Sequence, residues 1–212
     1  MIKLKTIIWC LIAFCLIGCQ SQPEILFEDI IVGDNLEACL AKGTVQYNPD
    51  YNKKTTIEND ISKIELANNY ISDCYFTNSE VKFDKNDIIK EIVLKFQQDK
   101  KSTGKTAKEV YNYMTQYFCQ RYQNMRTMTI NEEIADKNYD KYSVKFMQEG
   151  LANIWETDRV KITLKSYDNT LLERNRIYKT LNSEPFSVID SLKWWDIDSK
   201  EGKWVELRIF TK

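Results

Sequence analysis

Apolar positions along this chain recur at different spacings, and each spacing predicts a different element. Between residues 107 and 121 the spacing is helical: Ala107, Val110, Tyr111, Met114, Tyr117 and Phe118 form one stripe, continued by Arg121. Thr106 and Glu109 stand in the T-x-x-E arrangement of a capping box, so a helix is expected from Ala107 to about Asn124. A shorter helix is expected over residues 35–42. Asp34 and Asn35 precede Leu36, Glu37 stands three residues after Asp34, Gly43 closes the stretch, and Leu36, Cys39 and Leu40 share a face.

Elsewhere the period is two or the apolar runs are short, which reads as strand. The expected strands are residues 44–47, 70–77, 80–84, 88–97, 143–148, 151–156, 159–167 and 203–210. In residues 88–97, Ile88, Ile92, Leu94 and Phe96 fall on one face, opposite Glu91, Val93, Lys95 and Gln97. Val160, Ile162 and Leu164 alternate with Lys161, Thr163 and Lys165, the pattern of a half-solvated antiparallel strand. Turns are expected at Asp84-Lys85-Asn86-Asp87 and at Thr157-Asp158. The polar stretch 127–142 shows no periodicity and reads as a loop. Helix then strands, twice over, predicts an α+β fold of two helix-plus-antiparallel-sheet repeats, residues 25–102 and 103–212, with the helices packed on one sheet face. Residues 168–202 would interrupt the second repeat as an insertion.

The N-terminus has a different logic. Lys3 and Lys5 precede an unbroken apolar run, TIIWCLIAFCLI, which is too short to span the roughly 30 Å hydrocarbon core of a bilayer as a helix. It ends in Leu16-Ile17-Gly18-Cys19, and polar Gln20-Ser21-Gln22-Pro23 follows. This resembles the lipobox of bacterial lipoproteins, which implies that residues 1–18 are a signal peptide, that Cys19 carries lipid, and that residues 19–24 are a tether. Cys10 follows Trp9 and Cys15 follows Phe14, so only Cys19 has a small residue before it. A non-cleaved anchor or an ordinary secretory signal are the alternatives. Gln20, where an Asp would signal inner-membrane retention, implies the outer membrane by the same resemblance, with its periplasmic or outer side open.

Composition narrows the chemistry. The first 18 residues hold two of the 30 basic side chains and none of the 31 acidic ones, leaving the remainder slightly acidic. Nucleic acid is not an expected partner, because phosphate binding needs clustered Lys and Arg. With 43% hydrophobic and 12% aromatic residues there is enough apolar material for one substantial core or two small ones. The chain contains no histidine, which removes Ser-His-Asp and Cys-His catalysis in their usual forms and every His-ligated zinc site. Cys39, Cys74 and Cys119 are widely spaced, so either three buried thiols or one disulfide with one free thiol is expected.

The segments FEDIIVGDNLEACLAKG, IIKEIVLKF, VYNYMTQYFCQRYQN and IWETDRVKITLKSYD resemble lipoproteins of the Bacteroidetes type. In those proteins two helix-plus-sheet repeats resemble the β-lactamase inhibitor protein and the small lipoprotein of the outer-membrane barrel-assembly machinery. The resemblance covers most of residues 25–167 and the last strand, and it implies a fold that binds proteins through its sheet. Residues 168–202 depart from the pattern.

Three candidate sites stand out. STGKT (residues 102–106) sits between strand and helix as a phosphate loop would, but Asp99 occupies the place of the required glycine, so Gly104 reads as a turn and Thr106 as a cap. Trp194 and Trp195 are adjacent, and on a strand they would point to opposite faces, which offers one of them to a partner. The competing expectation is that the insertion folds back and buries both. Acidic groups, Glu132-Glu133 with Asp136 and Asp196 with Asp198, show no calcium-loop spacing and read as solvated loops. No cofactor or metal site is expected. The leading expectation is a non-catalytic, lipid-anchored envelope protein with a protein partner. The alternatives are a small-ligand or glycan binder stacking on Trp155, Trp194, Trp195 or Trp204, and a carboxylate-based hydrolase.

Overall fold

Asn35 begins the first helix by accepting a hydrogen bond from the Ala38 amide on its side chain, at 3.1 Å. Because Asn35 is itself the N-cap, Glu37 falls at the second helical position and the Asp34–Glu37 pairing is not used. The computed structural model describes residues 31–42, 55–58, 60–66, 70–72, 74–98, 104–136, 144–172 and 199–212. Helix α1 is Leu36–Ala41, and strands β1 (Thr55–Glu58), β2 (Ile61–Glu65), β3 (Tyr70–Ile71), β4 (Cys74–Tyr75), β5 (Asn78–Phe83) and β6 (Ile89–Gln97) follow it. Helix α2 (Ala107–Cys119) leads into β7 (Arg126–Asp136), β8 (Val144–Glu156), β9 (Val160–Leu171) and β10 (Gly202–Thr211).

The chain is α+β, with one antiparallel sheet of eight strands in the order β1-β2-β5-β6-β10-β9-β8-β7 and a separate two-strand ladder, β3-β4. No helix among the described residues is long and apolar enough to cross a membrane. The capping box of α2 forms as read, with the Glu109 amide donating to Thr106 and the Thr106 amide to the Glu109 carboxylate. Its buried residues are those of the sequence stripe: Ala107, Val110, Tyr111, Met114 and Phe118. The helix ends at Cys119, five residues before Asn124, whose φ of 61° lies in the left-handed region.

Phe118 meets Trp155 of β8 with ring centroids 5.3 Å apart, and the Asn153 amide donates to Thr115 at 3.0 Å. Around this contact, Leu36 and Cys39 of α1, Val110 and Met114 of α2, and Phe83, Ile92, Leu94, Ile162, Leu164, Val205, Leu207 and Ile209 of the sheet form one buried cluster. Register explains their agreement, since Leu207 lies opposite both Leu94 and Leu164 while Ile209 lies opposite both Ile92 and Ile162. These sheet residues therefore share one face.

Several sequence expectations need correction. Residues 127–142 were expected to be a loop, yet Arg126–Asp136 is a strand paired with β8 over eleven residues without a shift. It is an edge strand on which, of the side chains described, only Ile130 is buried, so it needs no apolar alternation. Residues 143–148 and 151–156 form one strand, because Gly150 continues the ladder instead of breaking it. Residues 70–77 do not form one strand: Ser72, with φ of 50°, turns the chain between β3 and β4. In the β5–β6 ladder the register shifts between Lys82 and Phe83, leaving Lys90 as the extra residue of β6, and Ile89 enters the core in place of Ile88. The β1–β2 hairpin, with Asp60 at φ 63°, was missed altogether.

The expected insertion is also shorter than read, since residues 168–171 belong to β9 and Gly202 opens β10. Residues 44–47 and the N-terminal segment 1–30 lie outside the described residues, so the signal, Cys19 and the tether have no structural account. Cys39 and Cys74 are buried free thiols, whereas Cys119 is exposed, which corrects the expectation that all three are buried. Two turns form as read. Asp84 accepts from the amides of Asn86 and Ile88, and Thr157 accepts from those of Arg159 and Val160.

Candidate functional site

The last strand sets up the site by plain alternation. In KWVELRIFT (residues 203–211), Val205, Leu207 and Ile209 enter the core, so Trp204, Glu206, Arg208 and Phe210 must point to the opposite side of the sheet. Among the described residues neither helix lies on that side, and this open face is open only in that sense: Val93, Phe146, Ala152, Ile154 and Leu171 stand on it and are buried. β10 is the fifth of eight strands, so these four side chains run through the middle of the open face.

Pairing extends the pattern sideways. Trp204 stands opposite Gln97 and Tyr167, Glu206 opposite Lys95 and Lys165, Arg208 opposite Val93 and Thr163, and Phe210 opposite Glu91 and Lys161. Arg208 donates through Nε to Glu206 at 2.7 Å and through Nη1 to Glu91 at 3.3 Å, and Lys82 also pairs with Glu91. Lys63 pairs with Glu80 at 3.1 Å, while Glu156 holds Arg126 at 3.0 Å and Lys212 at 3.4 Å. Each exposed pair contributes only about 0.2–1 kcal/mol to stability. Their larger effect is to hold long side chains in place.

Glu206 is the exception in burial, with 6% of its surface exposed. Burial by itself raises its carboxyl pKa, but the hydrogen bond and charge of Arg208, with Lys95 and Lys165, outweigh burial and hold it below the ordinary glutamate range. Burial likewise pushes the Tyr167 hydroxyl up, reinforced by the Glu206 charge. A carboxylate with a depressed folded-state pKa adds stability above the unfolded value, near 4.3, and loses it as pH falls through the folded value. Glu206→Gln is therefore expected to cost about 1–3 kcal/mol at pH 7, where it weakens a charge-assisted pair. In urea unfolding the difference from the parent should shrink as pH drops below about 4.5. A difference independent of pH would show that the Glu206 charge contributes nothing.

The residues singled out from sequence fall in different places. Trp194, Trp195, Asp196 and Asp198 lie outside the described residues, as does Cys19. Trp155 has no exposed surface and belongs to the core, so it is removed as a stacking surface. Trp204 does reach the open face, half-buried, with its indole N–H donating to the Lys200 carbonyl at 3.2 Å. Glu132 and Glu133 are exposed on the edge strand, not on a loop, and Glu133 pairs with Lys145 at 2.7 Å. No group of three or more Cys, Asp or Glu among the described residues is placed to hold a metal ion. Gly104 lies at a bend and Thr106 is the helix cap, as read.

A polar cavity of about 350 Å³ lies where β9 meets β10, lined by Gln98, Asp168, Asn169, Thr170, Glu201 and Lys203. Its groups serve local structure: Asn169 donates to the Lys200 carbonyl at 3.1 Å, and Glu201 accepts from the Leu171 amide at 3.4 Å. The sequence reading passed over Tyr167, Arg208 and Phe210. Their signal is the period of two in residues 203–211, whose alternate positions share one face.

No protein-family model, no curated protein and no solved structure matches the chain.

Proposed function

We propose that this chain is a non-catalytic, lipid-tethered protein-interaction module of the cell envelope, which engages its partner across the open face of the sheet. The observation that carries the reading is the strip Trp204-Glu206-Arg208-Phe210 with Tyr167 beside it, central on an eight-stranded sheet. Trp, Tyr and Arg are the side chains that most often dominate binding energy, and they do so near the centre of an interface. The surrounding ion pairs supply a polar rim. Leu16-Ile17-Gly18-Cys19 supports the tether, which by resemblance would sit on the outer membrane. Several acyl chains at about 0.8 kcal/mol per buried CH₂ anchor a domain firmly.

The reading includes the two-repeat architecture. Strand order supports it: α1 is followed by β1-β2-β5-β6 and α2 by β7-β8-β9-β10, and the two series join antiparallel through their last members, β6 and β10. Among the described residues each half has one named helix followed by four strands of the main sheet, interrupted in the first half by the β3–β4 ladder, and residues of both helices enter the same buried cluster. The ligand-binding and hydrolase readings have only the polar cavity with Asp168 and Glu201 to draw on.

A photo-crosslinking amino acid placed at Phe210 or Lys165, in cells carrying the full gene product, should give one discrete protein adduct. The same probe at Gln116, on the exposed side of α2, should give none. Metabolic palmitate should label the parent and not Cys19→Ser. Adducts from Gln116 alone would overturn the open-face reading, and unlabelled parent would overturn the tether.

A further inference from the structure

We infer that β7 is a docking edge for a second copy of this chain, pairing antiparallel with itself about Thr129. The edge itself invites pairing. Among the described residues β7 is the last strand of the sheet; it runs eleven residues in unbroken register and contains neither proline nor lysine, the usual devices that blunt an edge. Two-fold antiparallel addition of identical strands is isologous, so a residue at one end must suit the residue at the other.

Residues 126–132, Arg-Thr-Met-Thr-Ile-Asn-Glu, meet that condition. Centred on Thr129, the pairing sets Arg126 opposite the second copy's Glu132, Thr127 opposite Asn131, Met128 opposite Ile130, and Thr129 opposite itself. Each ion pair and each apolar pair occurs twice. Cross-strand pairs of this kind contribute roughly 0.2–1 kcal/mol each, and like charges directly opposite oppose pairing. The register overlapping all eleven residues, centred on Asn131, would instead set Ile130 against Glu132 and crowd the acids at the axis.

Exposure points to the same place independently. Met128 is 55% exposed, Leu151 on the neighbouring strand 45% and Met125 40%, and Leu151 lies opposite Thr129 in the ladder. Met128 and Leu151 flank the proposed axis on opposite faces of the sheet, so the dyad would cover apolar side chains on both faces. Arg126 has 65% of its side chain exposed and holds Glu156 through one guanidinium nitrogen, which leaves other donors for a second carboxylate.

The test uses the full chain in density-matched detergent, followed by sedimentation equilibrium from 1 to about 100 µM. A small interface of this type should dimerise on the order of micromolar. Arg126→Glu and Glu132→Arg should each weaken the dimer at least tenfold, while the two together restore it. In a Cys119→Ser background, Thr129→Cys should form a homodisulfide under mild oxidation, because opposed residues approach within 5.5 Å. Circular dichroism confirms that each variant is folded. A parent that stays monomeric, a dimer indifferent to single reversals, or a double variant that fails to recover would overturn the inference.

Discussion

Gly150→Ala is expected to destabilise the fold by roughly 3 kcal/mol or more, the upper range for forcing volume into a packed site. A Cβ at this position would stand 2.0 Å from the Ser166 carbonyl oxygen, 2.7 Å from the Tyr167 Cα and 2.9 Å from the Ser166 carbonyl carbon. All three are backbone atoms of the neighbouring strand, so no rotamer change relieves the clash. The ladder between β8 and β9 would have to open, and β9 passes its strain to β10, which carries the central strip. At 2–4 °C per kcal/mol, melting should fall by roughly 6–12 °C. Gly33→Ala is the contrast. Its φ of 99° makes alanine strained, but nothing lies within 4 Å of the added carbon, so a loss of only about 1–2 kcal/mol is expected. A Gly150→Ala protein melting within a degree of the parent would contradict the close approach.

The same glycine explains part of what the sequence hid. A glycine between two apolar runs reads as a break, and Gly150 lies between residues 143–148 and 151–156. Close backbone approach demands the same residue for the opposite reason, to let a strand continue. Where local chemistry decides the structure, the sequence was legible. Thr106 and Glu109 cap α2 as spaced, Thr157 makes its turn, and the alternation of Ile162 and Leu164 survives into the core. Edges were not legible, since β7 buries little and β1–β2 is short, so neither is required to show the alternation that pattern reading depends on. The open face was half legible. Its residues were visible as the polar positions of β10, but their convergence with Lys95, Lys165 and Tyr167 follows from β10 lying between β6 and β9, a long-range pairing that no local signal announces.

The second large effect is expected on binding. Trp204 offers a large, stiff contact area, and Arg208 offers a flat fork already oriented by Glu206 and Glu91. Truncating an interface anchor typically removes 2 kcal/mol or more, about thirtyfold in affinity, and two anchors do not add fully. Trp204→Ala combined with Arg208→Lys is therefore expected to weaken partner binding at least a hundredfold. Lysine keeps a positive charge opposite Glu206, so the fold is spared the cost of a buried lone carboxylate. Lys108→Ala and Gln116→Ala, on the exposed side of α2, should leave binding within a factor of two.

On the proposed function, the open face and not the helical one meets another protein. Its most direct test is the dissociation constant of the partner captured at Phe210, measured for the parent, the Trp204→Ala/Arg208→Lys variant and the α2 pair, all with matched circular dichroism. A hundredfold loss confined to the open-face variant is expected. Equal affinity across the three proteins, or a loss confined to the α2 variant, would contradict it.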